Sequence, residues 1–314
     1  MSDIPIARSR PDPSAEAETA EQRMRRQNQV LVDLAKRPLI HSGDLGAALR
    51  AICEAAARTL DVERVGVWCY TADRSALRCV NLYARSIDAH SEGSELTAAK
   101  YPAYFRALEL ERTIAASDAR LDPRTSSLTA EYFDPLNVTA TLDAPVRRGG
   151  EVTGVVCHEH MGSPRSWTTE EENFASSIAD LIGMAFDATE RREAQELVRH
   201  RLQFEKLIAG ISTHFINFAA DEVDAGIDEA LASVGRFIDA DRTHLVLIND
   251  DRVTGRVTHE WCADMVEQRK PAMTAMPMAA FPWWMERLHR FENIYLHTLD
   301  DFPAHAVSER GHPL

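Results

Sequence analysis

Two adjacent glycines, Gly149-Gly150, constrain this chain more than any other feature. They follow Arg147-Arg148 and separate two strand-like runs, Thr139–Val146 and Glu151–His160. A tight hairpin turn needs positive φ values, which glycine adopts without steric cost, so the stretch predicts a β-hairpin. A polar loop, Gly162–Trp167, comes next, and then Thr168-Thr169-Glu170-Glu171-Glu172. Thr168 with Glu171, or Thr169 with Glu172, fits a capping box at a helix start. Phe174, Ile178, Leu181, Ile182 and Ala185 then recur at helical spacing, so a hairpin must be followed by a long amphipathic helix.

Upstream, the pattern predicts alternating layers. A helix is expected from about Glu21 to before Pro38, and a second after Ser42-Gly43-Asp44 with Leu45, Leu49, Ile52 and Ala56 on one face. Val65–Tyr70 and Leu77–Tyr83 read as strands joined by a polar turn, and Ile114-Ala115-Ala116 as a short strand. Pro102 suits the first turn of a helix over Tyr101–Leu108, and Leu128–Leu136 reads as another short helix. The sum is an α+β fold, an antiparallel sheet flanked by helices on both faces.

The order of hairpin, polar loop and capped helix resembles the end of a GAF domain, the small sensor module of bacterial signalling proteins. The residues that carry the likeness are Leu142-Asp143-Ala144-Pro145-Val146, Gly149-Gly150, Gly154-Val155-Val156-Cys157-His158-Glu159-His160 and Trp167-Thr168. The resemblance covers roughly the first 190 residues. It implies a tandem sensory region, such as precedes a histidine kinase or diguanylate cyclase.

A weaker echo follows. Leu60-Asp61-Val62-Glu63-Arg64 returns as Ile238-Asp239-Ala240-Asp241-Arg242, Asp73-Arg74 as Asp251-Arg252, and Tyr83 as Trp261. Pro102, Leu108 and Ile114 return as Pro282, Leu288 and Ile294. We therefore expect two GAF-like copies joined by a long helix: a disordered leader over 1–20, a first domain over 21–190, a connecting signalling helix over 191–205, and a second domain over 206–314. No counterpart of the hairpin and capped helix appears in the second copy. The expectation is that this chain is a fragment or that another element completes that sheet. Leu197, Phe204 and Ile211, seven apart in the connecting stretch, suggest a seam for a homodimer.

Candidate chemistry is sparse. The implied pocket lies between one sheet face and the Tyr101–Leu110 and Leu128–Leu136 segments, and Trp68, Tyr83, Tyr104, Phe105, Tyr132 and His158 are its expected lining for a small-molecule ligand. His158 and His160 share a strand face, but no third metal ligand is apparent. Cys69 and Cys79 could face one another across neighbouring strands, the arrangement a reductase would need, yet the cysteine placement of that enzyme is not reproduced. The Asn-Lys pair of cyclic-nucleotide sites is absent, Cys157 does not occupy a bilin-attachment position, and Phe281-Pro282-Trp283-Trp284-Met285 is a second aromatic cluster. No phosphate loop, G-x-S-x-G or H-E-x-x-H occurs, so no catalytic or metal residue is assigned, no enzyme activity is expected, and the cofactor is unknown.

Composition narrows the partners. A net charge of −14 argues against nucleic acid, and no apolar run is long enough for a membrane span. Five widely spaced cysteines fit reduced thiols in the cytoplasm. The reading is a cytoplasmic sensory module that binds a small molecule or relays a conformational input to an output domain; a ligand-free dimerisation scaffold is the first alternative and a GAF-type methionine sulfoxide reductase the second.

Overall fold

A computed structural model describes residues 20–217, 219, 221–306 and 309. The leader expected over 1–20 lies outside the described residues except for Ala20. The chain divides into two compact units, Met1–Glu196 and Leu197–Leu314.

The first unit opens with α1 (Ala20–Ala35), a one-turn α2 (Pro38–His41) and α3 (Leu45–Leu60). Asp44 caps α3 by accepting from the Ala47 N–H, and Asp61 ends it in the left-handed region. Strands β1 (Arg64–Tyr70), β2 (Ala76–Ala84), β3 (Ala89–Ser91) and β4 (Glu95–Thr97) precede α4 (Pro102–Leu110) and β5 (Ile114–Ala116). The stretch between β2 and Tyr101, for which no element is expected from the sequence, thus holds two short edge strands. Residues 126–136 pass through a 3₁₀ turn, a π-helical turn over Thr129–Phe133 and a single α turn, α5 (Asp134–Leu136). Irregular turns replace the short α-helix expected there, and π turns often mark functional sites.

The hairpin forms as expected from β6 (Val138–Arg148) and β7 (Glu151–Met161), with Arg148 opposite Glu151 and Gly149 and Gly150 at φ +57° and +90°. The sheet order is β3-β2-β1-β7-β6-β5, with β4 also on β2, and every pairing is antiparallel. The 49-residue α6 (Thr169–Asn217) follows. Of the two candidate boxes, Thr168 and Glu171 make the cap: the Thr168 N–H donates to Glu171 Oε2 at 2.9 Å and the Glu171 N–H to Thr168 Oγ1 at 3.3 Å. Glu172 instead accepts from Thr113 Oγ1 at 2.7 Å, and Arg165 bridges the Asp61 carbonyl and Glu171.

Two cores sandwich this sheet. One packs β1, β6 and β7 against α3 and the start of α6 through residues such as Ile52, Val65, Leu142, Val156 and Ile178. The other packs the opposite face against α4 and residues 126–136, through Trp68, Tyr104, Leu108, Phe133 and Cys157.

The second unit holds the C-terminal part of α6, then α7 (Val223–Phe237), β8 (Arg242–Ile248), β9 (Thr254–Cys262), β10 (Met276–Pro277) and α8 (Pro282–His289). Its sheet is three-stranded, β10-β9-β8. Both ends of β8 and β9 fall 178 residues after those of β1 and β2. The bulges match at that interval, Val67/Trp68 against Leu245/Val246. So do left-handed Asp61 and Arg74 against Asp239 and Arg252. In the second aromatic cluster Trp283 is buried, Trp284 half-buried, and their backbone N–H groups donate to the Glu309 carboxylate.

The β1–β7 pairing permits no side chain at Gly154, where a Cβ would lie 2.3 Å from the Trp68 carbonyl oxygen. Gly154→Ala should therefore destabilise the first unit by about 2–4 kcal/mol in urea unfolding followed by circular dichroism. Gly210 sits in α6 with nothing within 4 Å of a built Cβ, and Gly210→Ala should stabilise by about 0.5–1 kcal/mol. A Gly154→Ala protein as stable as wild type would contradict this account of the central pairing.

Candidate functional site

Alternation on β1 points Arg64, Gly66 and Trp68 to one face, and the register sets Glu159, Cys157 and Val155 of β7 opposite them. Thr141 and Asp143 of β6 stand beside Glu159 and Cys157. Arg64, Thr141, Asp143 and Glu159 are all buried, although an interior normally excludes such groups unless they are paired.

The polar residues form two linked groups. Asp143 accepts from Tyr104 OH at 2.8 Å and from Thr141 Oγ1, and Tyr104 OH lies 3.5 Å from Cys157 Sγ. Burial raises the Asp143 carboxyl to about 7, against the lowering effect of the hydroxyls that donate to it. Glu159 accepts from Tyr132 OH at 2.7 Å, and Arg64 Nε stands 3.4 Å from Glu159 Oε2, an ion pair without hydrogen-bond geometry. Burial also raises the Glu159 carboxyl, against the pull of Arg64 and Tyr132. Tyr132 covers this group: Arg64 lies 5.7 Å from its ring centroid, and the Trp68 ring is edge-on at 6.0 Å.

Four of the six residues expected to line a pocket meet here, namely Trp68, Tyr104, Phe105 and Tyr132. Tyr83 and His158 do not: Tyr83 belongs to the core on the opposite face, and His158 shares that face with its register partners Val65 and Leu142. Tyr83 donates to Asp88 at 2.8 Å and stacks on His90 at 4.9 Å. His158 Nδ1 donates to the Leu142 carbonyl at 2.9 Å, which leaves Nε2 unprotonated, and burial lowers its pKa to about 4. The residues the sequence reading missed are Arg64, Thr141, Asp143 and Glu159. Their signal was a charged or polar residue inside an otherwise apolar strand.

The thiols are not activated. Burial pushes Cys69 up to about 11 and Cys53 and Cys79 up to about 12, and it also raises Cys157 well above the usual thiol value. Cys79 opposes Trp68, whereas Cys69 opposes Arg78, so the two cysteines are not cross-strand partners. Among the described residues no three His, Cys, Asp or Glu side chains group as metal ligands, and no helix is long and apolar enough to cross a membrane.

Residues 44–186 match the GAF domain family. No curated protein sequence matches the chain. Among solved structures, the photosensory core module of the Stigmatella aurantiaca phytochrome aligns over 90% of this chain and 54% of its own, at 13% identity and a TM-score of 0.50. The GAF domain of a phosphoenolpyruvate-protein phosphotransferase from Coxiella burnetii aligns over 56% of this chain and 99% of its own, at 16% identity and a TM-score of 0.44. Free methionine-R-sulfoxide reductase from Neisseria meningitidis, solved with its substrate, aligns over 57% and 96%, at 12% identity and a TM-score of 0.43. At such identities these likenesses concern the fold alone, and the chain spans about half the length of the phytochrome module.

Asp143 and His158 pull stability in opposite directions with pH. Folded Asp143 keeps a proton that the unfolded chain releases above about 4, so its contribution falls as pH rises towards 7. Folded His158 stays neutral where the unfolded chain protonates, so its contribution is lost as pH falls from 6.5 towards 4. Asp143→Asn should remove the first effect, and its melting temperature relative to wild type should climb by about 5 °C from pH 4.5 to pH 7.5. An offset between the two proteins that stays constant across those pH values would rule out this assignment.

Proposed function

Because residues 44–186 match the GAF domain family, we propose that this chain senses a small molecule in a cytoplasmic signal-transduction protein of a bacterium. The ligand binds on the sheet face bearing Arg64, Trp68, Asp143 and Glu159, beneath residues 126–136. One observation carries this reading: that face buries two carboxylates and a guanidinium where an apolar core would cost less. Stability alone does not account for them, and an irregular helical segment covers them.

The second unit is a further GAF-like copy. Support comes from the 178-residue interval at which strand ends, bulge and left-handed turn residues recur. Binding shifts the packing of the capped start of α6, and the helix relays that shift to an output domain. The unpaired cysteines suit a reducing compartment. A regulatory role is favoured over a reductase because the four thiols of the first unit are held protonated.

The scaffold reading has its own support in the exposed Leu197, Val198 and Leu202 of α6, apolar side chains placed for a helix partner. We assign them to a homodimer that operates together with ligand sensing.

Two measurements test this. Mass spectrometry of the protein denatured after gentle purification should release a small molecule, and adding it back at about a hundred times its Kd should stabilise the fold by roughly 2.7 kcal/mol. A protein that releases nothing and gains no stability from a metabolite library would leave only the scaffold. In light scattering, the double variant Val198→Glu, Leu202→Glu should be a monomer where wild type is a dimer; equal masses would dismiss the helix-borne dimer.

A further inference from the structure

The buried polar face is unevenly satisfied. Arg64 Nη1 and Trp68 Nε1 have no hydrogen-bond partner among the described residues, and Glu159 Oε2 accepts no hydrogen bond and has only its 3.4 Å ion pair with Arg64 Nε, though all three side chains are at least nine-tenths buried. Arg64 and Glu159 are neighbours by register, and Trp68 joins them through the Tyr132 ring, which lies beside both Arg64 and Trp68. Arg64 and Trp68 lie two residues to either side of Gly66 on one strand face, and Glu159 is directly opposite Arg64. A Cβ built on Gly66 would sit 3.0 Å from Trp68 Nε1, so the indole N–H stands over a position that carries no side chain.

Unmet donors and an unmet acceptor specify complementary chemistry. Resting on the sensor reading above, we infer that the ligand is a small zwitterion of the free α-amino acid type. Its carboxylate accepts from Arg64 Nη1 and Trp68 Nε1, and its ammonium donates to Glu159 Oε2. A simple anion would meet Glu159 at close range, and a simple cation would meet Arg64; a net-neutral molecule with both charges side by side offends neither. The surrounding wall of Trp68, Leu82 and Cys157 selects an apolar side chain.

Tyr132 is the gate. Its hydroxyl occupies Glu159 Oε1, its ring lies beside Arg64 and Trp68, and it is only half-buried where the groups beneath it are fully so. It is carried on the π-helical turn Thr129–Phe133, and Thr129 Oγ1 is also buried without a hydrogen bond. The ligand reaches Glu159 when this turn swings Tyr132 outward, so closed protein and ligand compete for one carboxylate.

Isothermal titration calorimetry on the 314-residue chain, with the free amino acids and their N-acetyl and methyl-ester derivatives, tests the inference. At least one apolar amino acid should bind, and both derivatives should bind at least tenfold more weakly. Tyr132→Phe removes the competing hydrogen bond and should tighten binding about three- to tenfold. Glu159→Gln and Arg64→Gln should each weaken it more than tenfold; should either fail to fold, Tyr132→Phe and the derivatives decide. If a non-zwitterionic molecule released from the protein binds while no amino acid does, the zwitterion is wrong and the sensor reading stands. If nothing binds to wild type or to Tyr132→Phe, both fall.

Discussion

The first unit depends on the antiparallel contact between β1 and β7, which joins strands about ninety residues apart in the chain. Without it the β1–β2 hairpin and the β6–β7 hairpin would be two ribbons, each with an exposed edge and marginal alone. The contact is close: Gly154 lies against the Trp68 backbone. It also aligns the polar groups, because the register that sets Gly66 opposite Cys157 sets Arg64 opposite Glu159. One pairing therefore builds both the central sheet and the ion pair on its face.

The two faces of that sheet follow different rules. Towards α3 and α6 the packing is almost wholly apolar, with His158 neutral and bonded to a carbonyl. Towards α4 and residues 126–136, carboxylates are kept in the interior and held above their usual range by burial. Buried charge that is loosely paired is a poor source of stability. The two faces thus differ in kind, and the longer helices, α3 and α6, belong to the apolar one.

Much of this was legible in the residues. The glycine pair, the Thr168 cap and the strands around Val65–Tyr70 and Leu77–Tyr83 emerged within a residue or two, because turn chemistry and capping act locally. The facing of β2 was not legible, and the reason is the bulge. Register with β1 skips Val80, passing from Asn81 opposite Val67 to Cys79 opposite Trp68. Parity counted from Cys79 therefore fails at Tyr83, and the two fall in opposite cores. The buried Asp143 and Glu159 were passed over because a charge in a strand is normally solvated; only the packing of α4 and residues 126–136 over that face encloses them. The turn types of residues 126–136 depend on what lies beneath them, which no local pattern records.

The first turn of α6 is fastened on two sides at once. Thr113, just past α4, grips Glu172 from the layer over the polar face; Arg165 grips Glu171 while holding the Asp61 carbonyl at the end of α3 in the layer over the apolar face. That turn is thus a common fulcrum. A displacement arising in either layer would therefore strain the root of the same helix, so α6 is tied to both sides of the domain rather than an appendage of one.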